Sequence, residues 1–117
     1  MKTPVTVYNK LSSFLSPPVY VLDLQDNCNI VTGDNEGEIC IWDYHKNRNI
    51  YTGKGKHNSR IISINLLKKY EKIIIASVEN VITIWKLKYN TVSGEKVIDE
   101  NLYCESIFRE NFGGNLV

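Results

Sequence analysis

Apolar positions along the chain fall in short runs separated by polar turns, and two such stretches repeat one pattern. The first holds VYVLDL at 19–24, NIVTG at 29–33 and GEICIWD at 37–43. The second holds IISINL at 61–66, KIIIAS at 72–77 and VITIWK at 81–86. The runs are rich in Val, Ile, Thr and Tyr and too short for helices, and no apolar stripe persists at helical spacing, so they predict strands. Leu24, Leu66 and Phe108 fall at a constant spacing of 42 residues, and Trp42 and Trp85 lie 43 apart. A period in this range, with several strands in each, predicts a stacked β-repeat array.

Copy one predicts strands at 19–24, 29–33 and 38–43, and a fourth near 49–52 after a loop at 45–48. Gly37 closes the tight turn between the second and third, where positive φ is needed. Copy two predicts strands at 61–66, 72–77 and 81–86, then a polar linker at 90–94 and a fourth strand near 96–98. NLYCESIF at 101–108 reads as the first strand of a third copy, and PVTVY near the N-terminus as an additional strand. The expected organisation is one continuous array: strand and spacer at 1–18, repeat one at 19–60, repeat two at 61–100 and the opening of repeat three at 101–117.

At GEICIWD, preceded by Val-Thr-Gly and a polar Gly turn, the pattern resembles the WD-repeat family. The resemblance implies an all-β fold of antiparallel four-stranded β-propeller blades, about two and a half of them here. It also implies a buried hydrogen-bond set around each Trp: Thr32 with Trp42, and His57 with Ser77 for Trp85. Gly37 and the Trp42–Asp43 pair complete the repeat positions. Copy one has no His at the matching place, and Glu36 stands where the family's turn Asp is expected. Copy two has Asn80 at that place and Lys86 where the Trp-Asp pair would end. Residues 4–43 further resemble the start of the rabconnectin family, large WD-repeat regulators of the vesicular proton pump. Two and a half blades leave strand edges unpaired, so the expectation is a fragment of a larger propeller or a chain that assembles with others.

Composition narrows the function classes. Of the 117 residues 43% are hydrophobic and 23% charged, as in an ordered globular protein, and the formal net charge of +1 gives no reason to expect nucleic acid as partner. No apolar run reaches the length of a membrane span, and the N-terminus lacks a signal-peptide core. Cys28, Cys40 and Cys104 do not form a disulfide framework, which points to an intracellular, cytoplasmic protein, with a peripheral place on vesicle membranes as the finer expectation. Cys40, between two isoleucines, reads as a small buried hydrophobe.

Candidate chemistry is sparse. His57 and His45 share no Cys or carboxylate at ligand spacing, so neither a metal nor any other cofactor is expected. Cys104 lacks a His partner signature, and Gly113-Gly114 is not followed by the Lys-Ser/Thr of a phosphate loop. These readings favour a non-enzymatic scaffold that binds other proteins through its loop faces. The segment from Lys46 to Lys72 is basic, with acidic residues clustered before and after it. If blades form, Lys46, Arg48, Lys68 and Lys69 come from loops of one rim, a face for acidic protein segments or for an anionic or phosphoinositide-bearing membrane. A small all-β enzyme or binding domain is the alternative from another class.

Overall fold

In the computed structural model, residues 17–53 and 55–109 are described. The expected strand at 4–8 and residues 110–117 of the expected third repeat lie outside them. The described residues contain two four-stranded antiparallel sheets and one two-stranded hairpin. The first sheet is a meander of β1 (Pro18–Asp23), β2 (Asn29–Asp34), β3 (Ile39–Asp43) and β4 (Arg48–Gly53), in that order. The second holds β5 (Ile61–Leu67), β6 (Lys72–Ser77) and β7 (Val81–Lys86), with a 3-10 turn at Lys68–Tyr70 between β5 and β6. Its fourth strand is β10 (Tyr103–Arg109), paired to β7 with Cys104 opposite Trp85 and Phe108 opposite Ile82.

This placement corrects two expectations. The segment near 96–98 is not the fourth strand of the second sheet: β9 (Glu95–Ile98) pairs with β8 (Tyr89–Val92) in a separate hairpin. The strand over 101–108 does not open a third repeat; it completes the second sheet. The physical reason is the insertion itself. A hairpin between β7 and β10 displaces the fourth strand to the position where a third copy would begin. Phe108 therefore matches the 42-residue spacing without being equivalent to Leu24. Leu24 is buried at 3% exposure, whereas Phe108 is 53% exposed.

The two sheets stack face to face, with β1 and β2 approaching β5. Between them lie Val31, Ile39 and Ile41 from the first sheet and Ile61, Ile64, Ile73, Ile75 and Trp85 from the second. Tyr51 of β4 meets the Trp85 ring edge-on, with centroids 6.1 Å apart, a favoured aromatic geometry. The approach is closest at Gly33, where a Cβ would sit 2.6 Å from the Ile61 side chain, so this strand position requires glycine. The opposite face of the first sheet carries Ile30, Cys40 and Trp42. Every residue of β3 is buried, as are the first five of β2, so these strands are covered on both faces. In β6 and β7 burial alternates residue by residue, so the second sheet has one covered and one open face.

Candidate functional site

Antiparallel alternation sorts the loops onto two rims. The β1–β2 turn, the 3-10 turn, the β3–β4 turn and the hairpin insertion share one; the β2–β3, β6–β7 and β4–β5 connections share the other.

On the second rim the polar side chains serve the blades. Trp42 Nε1–H donates to Thr32 Oγ1 at 3.1 Å. Asp43 Oδ1 accepts the backbone N–H groups of His45 and Lys46 and so holds the β3–β4 turn on the first rim. Around Trp85 the arrangement differs from the expected set. Its Nε1–H donates 2.8 Å to Thr83 Oγ1, on its own strand, and Thr83 Oγ1 lies 2.7 Å from His57 Nε2. Ser77 Oγ instead meets the other imidazole nitrogen, Nδ1, at 2.8 Å. One neutral tautomer satisfies the whole relay: Thr83 O–H donates to Nε2, and Nδ1–H donates to Ser77. Ser77 Oγ in turn lies 3.4 Å from Glu79 Oε1, which also accepts the Asn58 N–H at 2.6 Å. Burial lowers the His57 pKa below its ordinary value; the Glu79 carboxylate opposes that shift and Arg109 adds to it.

Sequence reasoning missed Thr83 because the Trp and its hydroxyl partner were sought on neighbouring strands. The signal was present: in VITIWK, Thr83 lies two residues before Trp85, on the same strand face. It also missed Asp34. Glu36 does not hold the β2–β3 turn; Asp34 Oδ1 accepts the Glu36 and Glu38 N–H groups at 2.9 and 2.8 Å. Gly37, at φ +91°, packs so closely on the next connection that a Cβ would lie 2.5 Å from the His57 carbonyl oxygen.

None of the three thiols is poised as a nucleophile. Burial, followed by the Asp43 carboxylate, pushes Cys28 up to about 12, and burial raises Cys40 to about 11. Burial raises Cys104 as well. Among the described residues no group of three His, Cys, Asp or Glu side chains could hold a metal ion. No helix among them is long and apolar enough to cross a membrane.

The four expected cations of the first rim have different surroundings. Arg48 is paired with Glu100 at 2.9 Å, and with Lys46 it lines a cavity shared with Asp43 and Glu100. Lys68 lines a different, larger cavity. Lys69 lines neither cavity and sits over the Tyr70 ring. Both cavities are walled by the hairpin insertion, through Val97 and Ile98 on one side and Tyr89 and Lys96 on the other. The hairpin is anchored by the Tyr89 hydroxyl, which donates to Asp26 Oδ2 at 3.0 Å, and by Ile98, buried in the core. Sequence reasoning took this segment for a linker and a fourth strand, so its residues were not considered.

Two stacked four-stranded antiparallel sheets, each with a Trp on its third strand, have the architecture of β-propeller blades. No family model matches the chain. It is 29% identical over 87 residues to cilia- and flagella-associated protein 52 of Macaca fascicularis, covering 74% of this chain and 15% of that protein. The human protein of the same name gives the same 29% over 87 residues, with 14% of its length covered. The chain thus spans less than a sixth of the length of these relatives. Among solved structures, the β-propeller domain of Cps50 (Swd1) from Myceliophteria thermophila superposes with a TM-score of 0.68. That match covers 81% of this chain and 29% of the other, at 14% identity. These likenesses bear on the WD-repeat propeller reading; the narrower resemblance to rabconnectin draws no support from them.

Proposed function

We propose that this chain is a non-enzymatic interaction module of a WD-repeat propeller, and that its hairpin rim faces a partner protein. The observation that carries this reading is the insertion between the third and fourth strands of the second blade. A blade needs no such element to close, yet here one is built, tied down at its root and left exposed at its tip. Val92 is 55% and Val97 39% exposed, a cost in apolar hydration that a partner surface would remove. On the opposite rim, Thr83, His57 and Ser77 are engaged in the relay to Trp85 and Asp34 in turn closure. The likeness to a cilia- and flagella-associated protein supports an intracellular setting and a role as one part of a larger protein assembly.

Site-specific photo-crosslinking tests the reading. A photoreactive side chain at Val92 or Lys69, on the hairpin rim, is expected to give adducts of defined mass in cells expressing the protein. The same group at Asn58, on the other rim, is expected to give none. Adducts from Asn58 alone, or from neither rim, would overturn the proposal.

A further inference from the structure

The two sheets correspond position by position through their registers. Trp42 pairs with Ile30 and Trp85 with Ile73. Both first strands carry a bulge at the same place, between Pro18 and Tyr20 in β1 and between Ile61 and Ser63 in β5. Pro18 therefore corresponds to Ile61, Val21 to Ile64, Asp23 to Leu66 and Gly33 to Ala76. Each sheet then has a face bearing its Trp and a face turned away from it. The first sheet's face away from Trp42, with Val31, Ile39 and Ile41, is covered by the Trp85 face of the second, and β5 meets β1 there. The second sheet's face away from Trp85 holds Ile74, Ile82 and Ile84 at the matching positions, and this is the open face. The bare face is thus the counterpart of one whose covering is present in the same chain.

The surface that would cover it is also left over. In the internal contact β5 offers Ile61 and Ile64, both buried. The matching residues of β1 are Pro18 and Val21, and Val21 is 42% exposed. The positions that receive them change in step. Gly33 makes room for Ile61, whose side chain would lie 2.6 Å from a Cβ there. Ala76 carries that Cβ, and the counterpart of Ile61 is the smaller Pro18. At the other end, Leu66 and Leu24 share a cavity wall. Their counterparts are Asp23 on one side and, on the other, Leu67 with its ladder partner Lys72. Lys72 is paired with Glu105 at 2.6 Å, and the adjoining Lys86 reaches only the Tyr70 carbonyl oxygen among the described residues. An apolar contact inside the chain is matched here by an acid facing two ammoniums.

We infer that the open face of the second sheet docks β1 of a second copy of this chain, head to tail, in the pose that the second sheet takes on the first. The contact joins two different surfaces, so it repeats from copy to copy. With two blades in each chain, roughly two to four copies close a ring of ordinary propeller size. Pro18 and Val21 bury less apolar surface than the two isoleucines they replace, so this contact is weaker than the one inside the chain. The inference goes beyond the interaction-module reading, which concerns the hairpin rim, and does not depend on it.

Analytical ultracentrifugation of the full 117-residue chain is the test. At micromolar concentration the native protein is expected to form one discrete assembly of about two to four chains. Val21→Glu spoils the β1 surface and Ile74→Glu the open face, so each variant alone is expected to stay monomeric. Mixed in equal amounts they are expected to form a dimer and nothing larger, because each keeps the surface the other has lost. Circular dichroism melts establish that both variants fold. Should Ile74→Glu not fold, Ala76→Ile, which overfills the place opposite Pro18, replaces it. A native protein that stays monomeric, or masses that grow without limit, would overturn the inference. So would a mixture that yields no dimer. Val21→Glu assembling as the native chain does would show instead that two open faces meet each other, and would overturn it equally.

Discussion

Two tryptophans, each with its N–H satisfied inside the protein, set the energetics at the residue scale. Trp42 is fully buried, so Trp42→Ala is expected to cost about 3–5 kcal/mol in chemical denaturation. Thr83→Val should show that Thr83, and not Ser77, is the partner of Trp85. It would leave the indole N–H and His57 Nε2 without a partner, at about 1–3 kcal/mol. Ser77→Ala deprives only the far end of the relay and is expected to cost less; a larger loss at Ser77 would contradict the geometry. His57 adds a pH dependence. Its folded pKa is lowered by burial from the ordinary 6.5, so the unfolded chain binds the proton more readily. Its stabilising contribution is therefore complete above about pH 6.5 and is lost as pH falls from there through the lowered folded value. Melting temperatures measured from pH 7.5 to 5 should fall more steeply for the native protein than for His57→Asn. Parallel curves would show that the imidazole does not titrate with folding.

At the scale of elements, seven strands were legible because alternation and turn residues agree in them: Asp26 and Asn27 end one run, Asn80 another, and each third strand carries a Trp. The second blade's fourth strand was not legible. Tyr103–Arg109 has the composition of any half-buried strand, and nothing local states which neighbour it pairs with. Pairing is settled by what lies between, and a short hairpin reads locally as a polar linker. The rim cavity was hidden for the same reason: its walls come from three separate turns, which share it only after the insertion folds back. Two matched substitutions separate the expected pairing from the observed one. Cys104→Asp places a charge on the core-facing side of β10 opposite Trp85 and is expected to destabilise by about 2–3 kcal/mol. Val92→Asp at the exposed hairpin tip is expected to stay within about 0.5 kcal/mol of the native protein. The reverse order would return the fourth strand to residues 95–98.

For the whole molecule, the decisive feature is the open face of the second sheet. Ile74, Ile82 and Ile84 are only half-buried there, and Ile62 and Phe108 are 52% and 53% exposed. Strands this apolar on both sides are composed for a sheet covered on both faces, as the first sheet is. The chain in isolation is therefore expected to self-associate at micromolar concentration, and Ile62→Glu with Phe108→Glu to shift it toward monomer in light scattering. A monodisperse native monomer would show that the face is tolerated bare. The arrangement of all the elements, and with it the hairpin rim as the presented surface, is tested most directly by residue-resolved hydrogen exchange of the Ile62→Glu, Phe108→Glu protein. Amides of 104–107 that bond to β7 are expected to exchange slowly, together with those of 73–76 and 82–85, while 91–96 exchange much faster. Slow exchange at 95–98 in step with 82–85, with 104–107 exchanging at the rate of the hairpin tip, would contradict it.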